Sequence, residues 1–367
     1  MSNQKRNLFI ILCSLFCGIF LCKSSVSAAT DKAIMKQVQQ MSLQNRIAQM
    51  YFTPSSGDNN QMCSDIKKYH LGGVVLFGSD FQNQTPAQFK NKMKQLQQAS
   101  SIPLFIGTDQ EGGTVSRLND NPQLTNNRQF PAPMKLNQNM QQEVNEAKQT
   151  AAILHNLGIN WNFAPVADVS NDPNSFIYPR TFGKNYQQTA DYIKKVVPAI
   201  QSQHVAATLK HFPGYGTAGD THTGFASTNK SITDFKKEDF LPFKAGIQAH
   251  ADAVLVSHII INQIDSQYPA SLSPKVINVL RHDLHYSGVI ITDDLGMDAI
   301  TKFAQEKQIN ADVQAVKAGN DMLLSKNYAT GIPAIEEAVK QHQISEKQIN
   351  NSVYRILVLK KKLGLLK

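Results

Sequence analysis

Between Lys210 and His222 the chain crowds an amine, two imidazoles and a carboxylate into one short stretch, Lys210-His211-Phe212-Pro213-Gly214-Tyr215-Gly216-Thr217-Ala218-Gly219-Asp220-Thr221-His222. Its glycines and its proline exclude a helix. Asp220 stands two residues before His222, so the carboxylate can bond one ring nitrogen and leave the other to exchange a proton with a reactant. Taken singly, each residue suits a glycine-rich turn whose polar groups satisfy the backbone; the combination points to acid/base chemistry. A second reactive group is Asp293 in Val289-Ile290-Ile291-Thr292-Asp293-Asp294-Leu295-Gly296-Met297, a carboxylate delivered from an apolar run and suited to attack an anomeric carbon. Asp294 reads better as the amino-terminal cap of the following helix. Asp109, with Arg117 a short way on, and Arg180 in Tyr178-Pro179-Arg180-Thr181-Phe182-Gly183 offer a carboxylate and guanidinium groups that suit sugar hydroxyls. For Asp109 and Arg117 a structural salt bridge is the alternative. His258 reads as a supporting or satisfied buried histidine and Trp161 as core. No His-x-x-x-His helix pattern, cysteine pair or calcium-loop spacing occurs, so neither a metal nor a cofactor is expected.

The elements that must position these groups alternate. Short apolar runs read as strands at residues 50–53, 73–77, 104–108, 159–163, 205–209, 253–257, 288–292 and 322–325. Amphipathic stretches at residues 86–98, 141–157, 186–203, 232–248 and 274–284 lie between them, and a final helical pair follows. Eight strand–helix units predict an α/β fold, a closed (β/α)8 barrel in preference to an open doubly wound sheet, which spacing alone leaves open. The barrel predicts working residues on the loops after strands. Asp109 follows the third strand, Asp168 the fourth, Lys210 and His211 the fifth, His258 the sixth, and Asp293 with Asp294 the seventh.

At the amino terminus, Lys5 and Arg6 precede an apolar run from Leu8 to Cys22 and then small residues up to Ala29. This predicts a cleavable signal peptide over residues 1–28 and a single catalytic domain over residues 29–367, in a secreted protein; a retained membrane anchor is the alternative. Cys13, Cys17 and Cys22 leave with that segment, so Cys63 remains alone and no internal disulfide is expected. Removing Lys5, Arg6 and Lys23 lowers the formal charge from +9 to +6. A basic exported chain suits electrostatic association with an anionic cell wall, against the plainer reading of a solvated basic surface. No nucleic-acid motif is present.

Taken together, several segments resemble glycoside hydrolase family 3, in its β-N-acetylglucosaminidase branch. They are Met41-Ser42-Leu43-Gln44 to Gln49-Met50, Thr108-Asp109-Gln110-Glu111-Gly112-Gly113, Asn162-Phe163-Ala164-Pro165-Val166-Ala167-Asp168, Arg180-Thr181-Phe182-Gly183, Lys210-His211-Phe212-Pro213-Gly214, Asp220-Thr221-His222 and Thr292-Asp293-Asp294-Leu295. The resemblance covers nearly all of residues 29–367 and implies a (β/α)8 barrel acting on peptidoglycan-derived and other β-linked N-acetylglucosamine. It implies Asp293 as nucleophile, His222 as acid/base with Asp220 as its partner, and substrate contacts from Asp109, Arg117, Arg180, Lys210 and His211. Other branches take the acid/base from a glutamate of a second domain; the chain ends soon after its eighth strand, so the expectation falls on His222. The loop departs from the family pattern: it is one residue shorter than the common form, Tyr215 stands where histidine is usual, and Thr223-Gly224-Phe225 follows His222. The implied chemistry is retaining exo-hydrolysis through a glycosyl-enzyme. A β-glucosidase-like or phosphorolytic relative, or an inactive wall-binding barrel, are the alternatives.

Overall fold

The computed structural model describes residues 31–216 and 218–366, so the expected signal peptide lies outside the described residues. The chain divides into two compact units at Ser42 and Leu43. Of the first, residues 31–40 are helical.

The second unit carries the eight expected strands: β1 (Tyr51–Pro54), β2 (Gly73–Leu76), β3 (Phe105–Thr108), β4 (Trp161–Asn162), β5 (Ala206–Phe212), β6 (Ala253–Val256), β7 (Val289–Thr292) and β8 (Leu323–Leu324). All are parallel, in the order β7-β6-β5-β4-β3-β2-β1-β8. A parallel bridge from Ile291 to Met322 joins β7 to the β8 segment. Thr292 N–H to the Met322 carbonyl at 3.2 Å and Met322 N–H to the Ile290 carbonyl at 3.0 Å complete the ring. The molecule is the (β/α)8 barrel that the alternation predicts. Runs such as Ala253-Val254-Leu255-Val256 are buried at every residue because helices cover the outside and side chains fill the inside, which is why they are continuous rather than alternating in hydrophobicity. Inside, Phe52, Phe105, Trp161 and Phe163 pack with ring centroids 4.8–6.1 Å apart. Gly107 makes room for them, since a Cβ there would lie 2.7 Å from the Phe52 ring.

Two elements differ from expectation. β5 runs on to Phe212, so Lys210 and His211 belong to the strand rather than to the loop after it. The carbonyl of Lys210 accepts from Ala167 N–H at 2.7 Å, a partner that an apolar-run reading does not see. The stretch 232–248 breaks into helices Ile232–Lys237 and Phe240–Gln248. At the break Asp239 is buried and its carboxylate pairs with Lys230.

Candidate active site

Beyond β3 the chain stays extended through Gln110–Gly112 and pairs with Val115–Ser116. Period-two alternation therefore turns Asp109 and Glu111 to one side and Gln110 to the other, where Gln110 donates to Ser116 Oγ at 2.7 Å. Glu111 accepts a two-pronged grip from Arg180, Nε to Oε2 at 2.9 Å and Nη2 to Oε1 at 2.8 Å, and Lys210 Nζ stands 2.6 Å from the same Oε1. Burial by itself would raise the Glu111 pKa, but Lys210 and Arg180 hold it at about 2. Lys210 also donates to Asp109 Oδ1 at 2.7 Å. Burial would lower the ammonium's pKa, yet Asp109 and Glu111 raise it above the ordinary lysine value, so it stays charged in the barrel mouth. Arg117 Nη2 lies 3.9 Å from Asp109 Oδ2 and its guanidinium sits over the Phe77 ring.

The β5–β6 register shifts between Leu209 and Phe212. Consecutive strand residues normally face opposite ways; this bulge lets both Lys210 and His211 line the mouth. Asp168, past β4, accepts from His211 N–H at 3.0 Å, stands 2.7 Å from His211 Nδ1, and accepts from Tyr215 N–H at 2.8 Å. Arg180 Nη2 lies 3.1 Å from His211 Nε2. A guanidinium only donates, so Nε2 accepts and Nδ1 carries the proton toward Asp168.

Asp293 leaves the end of β7 with its N–H bonded to the Val256 carbonyl at 2.9 Å. Burial would raise its pKa; nearby His258 and His211, with Asp294 N–H donated to its Oδ1 at 2.9 Å, hold it below the ordinary aspartate value. It is an anion. His258 is buried, bonded to Ser271 Oγ at 2.7 Å and, through Nε2, to the Asp294 carbonyl at 2.9 Å, and burial lowers its pKa despite Asp293. It is therefore the satisfied, supporting histidine expected. Asp294 is not the helix cap that its position suggests. The helix Asp298–Lys307 begins after Met297, and Asp294 instead accepts Gly296 N–H at 2.8 Å in a local turn.

On the long loop after β5, His222 Nδ1 lies 2.6 Å from Asp220 Oδ1, which also accepts His222 N–H at 2.9 Å. That leaves Nε2 as the free ring nitrogen. A pocket of about 370 Å³ is lined by Asp109, Arg117, Arg180, Lys210, His211, His222 and Asp293, with Asp220 behind His222. The arrangement sets a half-buried carboxylate and a carboxylate-bonded imidazole around a clamp of paired charges. Among the described residues no three His, Cys, Asp or Glu side chains converge as a metal-binding group.

A family model described as the glycosyl hydrolase family 3 N terminal domain matches residues 35–359. The chain belongs to glycosyl hydrolase family 3. Its similarity lies in the β-hexosaminidase branch. "Beta-hexosaminidase A" of Pseudoalteromonas piscicida is 32% identical over 340 residues, covering 81% of this chain and 54% of that one, so the chain spans about half the length of that relative. A Nitrosomonas eutropha "Beta-hexosaminidase" is 32% identical over 264 residues, 70% of this chain and 74% of that one. The solved structure of a family 3 β-N-acetylglucosaminidase from Paenibacillus sp. superposes with a TM-score of 0.82 at 30% identity, over 89% of this chain and 63% of that one.

In this family 3 barrel two site residues went unassigned from the sequence. Glu111, the common partner of Lys210 and Arg180, was legible only through its spacing from Asp109, two positions along an extended segment. Asp168 was placed in the mouth without a role; it is the anchor of both His211 and Tyr215. No sequence signal marks a hydrogen bond across forty-odd residues.

Proposed function

We propose that this chain is an exported, retaining exo-β-N-acetylglucosaminidase that removes terminal β-linked N-acetylglucosamine from peptidoglycan fragments. The observation that carries the reading is that an ionised, half-buried Asp293 and the Asp220-supported His222 line one pocket. Asp293 attacks the anomeric carbon as His222 Nε2–H gives its proton to the departing oxygen, through an oxocarbenium-like transition state. Neutral His222 then takes a proton from water, which hydrolyses the glycosyl-enzyme with retention. Asp109, Lys210, Arg180, Arg117 and His211 hold the sugar's hydroxyls, and Glu111 keeps the two cations in place from behind. Export through residues 1–28 and retention of the basic chain on an anionic wall belong to the same reading; release from wall preparations by salt would test the retention. Phosphorolysis is the second reading, because a neutral histidine base among Lys210, Arg180 and Arg117 does not repel an anionic acceptor.

The test is release of p-nitrophenol from its β-N-acetylglucosaminide in phosphate-free buffer. We expect turnover that falls about 10³-fold or more in Asp293→Ala and about 10²-fold in His222→Ala. Activity that survives Asp293→Ala removes the nucleophile assignment and the retaining mechanism with it. A rate raised by added phosphate, with sugar phosphate as product, selects phosphorolysis.

A further inference from the structure

The pair Asp220 and His222 stands on a glycine-rich loop with side chains 32% and 57% exposed, conditions under which an imidazole would not keep one direction. Thr221, between them, is wholly buried. Its hydroxyl lies 2.6 Å from the hydroxyl of Tyr215, itself buried, on the outgoing limb of the same loop. The Thr221 carbonyl accepts Ala299 N–H at 3.4 Å, from the helix that follows Asp293. Tyr215 is fixed in turn: its N–H bonds Asp168 at 2.8 Å, and its ring meets His211 edge-on at 5.1 Å and Phe176 at 4.8 Å. A continuous set of contacts therefore runs from His211 through Asp168 and Tyr215 to Thr221, and ends at the two residues that flank it.

We propose that Tyr215 and Thr221 are positioning residues that hold the Asp220–His222 pair toward the pocket through the bond between their hydroxyls. The geometry gives the bond leverage. With Thr221 pinned inward, His222 beside it lines the pocket with Asp220 behind it, and the bond from Tyr215 to Thr221 closes the loop on itself. Tyr215 serves as a neutral hydroxyl throughout the working range, because burial and the negative charge of Asp293 push its pKa far up. The tyrosine that departs from the family pattern is thus given a task specific to this chain. The inference rests on the reading of His222 as the acid/base.

The experiment compares kcat/KM for two substrates of one sugar: N,N′-diacetylchitobiose, whose leaving oxygen needs a proton, and the dinitrophenyl β-N-acetylglucosaminide, whose leaving group does not. Tyr215→Phe, Thr221→Val, the double variant, Thr221→Ser and His222→Ala are measured together. We expect Tyr215→Phe and Thr221→Val each to lower the chitobiose value about fivefold to tenfold and the dinitrophenyl value by much less. The double variant is expected to lose no more than either single one, since both break the same bond, and Thr221→Ser to keep the parental ratio of the two substrates. Equal losses on both substrates, or losses that multiply in the double variant, overturn the proposal. His222→Ala separates the two failures. If it fails to discriminate between the leaving groups, the acid/base reading falls; if it discriminates and Tyr215→Phe does not, only the strut falls.

Discussion

Glu111 shows what one buried carboxylate does when two cations depend on it. It sits 1% exposed between Lys210 and Arg180, and its pKa is held at about 2 against an ordinary 4.5. A carboxylate with a depressed folded-state pKa contributes stability above its unfolded value and loses it as pH falls. For Glu111 that contribution, about 3 kcal/mol, is full above about pH 4.5 and gone near pH 2. We expect Glu111→Gln to flatten the acid limb of a denaturation curve over that window and to raise KM, because Lys210 and Arg180 lose the partner that orients them. An unchanged acid limb, read by urea titration at several pH values, would sink the account. At this scale the sequence was legible where chemistry is local: Asp220 and His222 pair across two residues, and their bond could be expected. Glu111 and Asp168 were not assigned, because their partners come from other strands.

At the scale of elements, the bulge in β5 and the closing helix do the positioning. The bulge turns two neighbouring side chains into one mouth, which an apolar-run reading of the strand cannot express. At the other end of the barrel the helix Glu346–Lys362 buries Lys360 completely, its Nζ 2.7 Å from Gln49 Oε1 and over the Phe105 ring. Burial brings its pKa down from 10.5 to about 7. Between those values the unfolded chain binds a proton that the folded chain has shed, so this residue makes stability rise with pH from about 7 toward 10.5. Lys360→Met should remove that rise, read as the parent-minus-variant difference in urea midpoint at pH 7, 8 and 9. A difference that stays constant across the three would show that the amine does not titrate there. The helix itself was foreseen; that one of its lysines enters the core was not, since nothing in a run of lysines tells which faces inward.

For the whole molecule the decisive event is closure between β7 and β8. Asp321, just before β8 and wholly buried, accepts Ile290 N–H and Ser352 Oγ–H at 2.9 Å each and Arg355 Nη1–H at 3.0 Å, and also pairs with Arg281. One carboxylate thus ties the last two strands to the closing helix. We expect Asp321→Ala to cost about 3–5 kcal/mol of stability, because it leaves the partly buried Arg281 and Arg355 guanidinium groups without their carboxylate and opens the seam. A loss below about 1 kcal/mol by chemical denaturation would place the seam's strength elsewhere.

The sequence by itself determined the eight-fold alternation, the strand ends at which charged residues gather, and the pairing of Asp220 with His222. Each depends on neighbours within a few residues, where backbone geometry makes spacing equivalent to direction. Tertiary structure alone decided that the ring closes, that Glu111 joins Lys210 and Arg180, that Asp168 anchors His211 and Tyr215, and that Asp294 caps a turn instead of a helix. Those contacts join residues far apart in the chain, and a hydrogen bond or ion pair between them exists only once the barrel has brought their strand ends into one mouth.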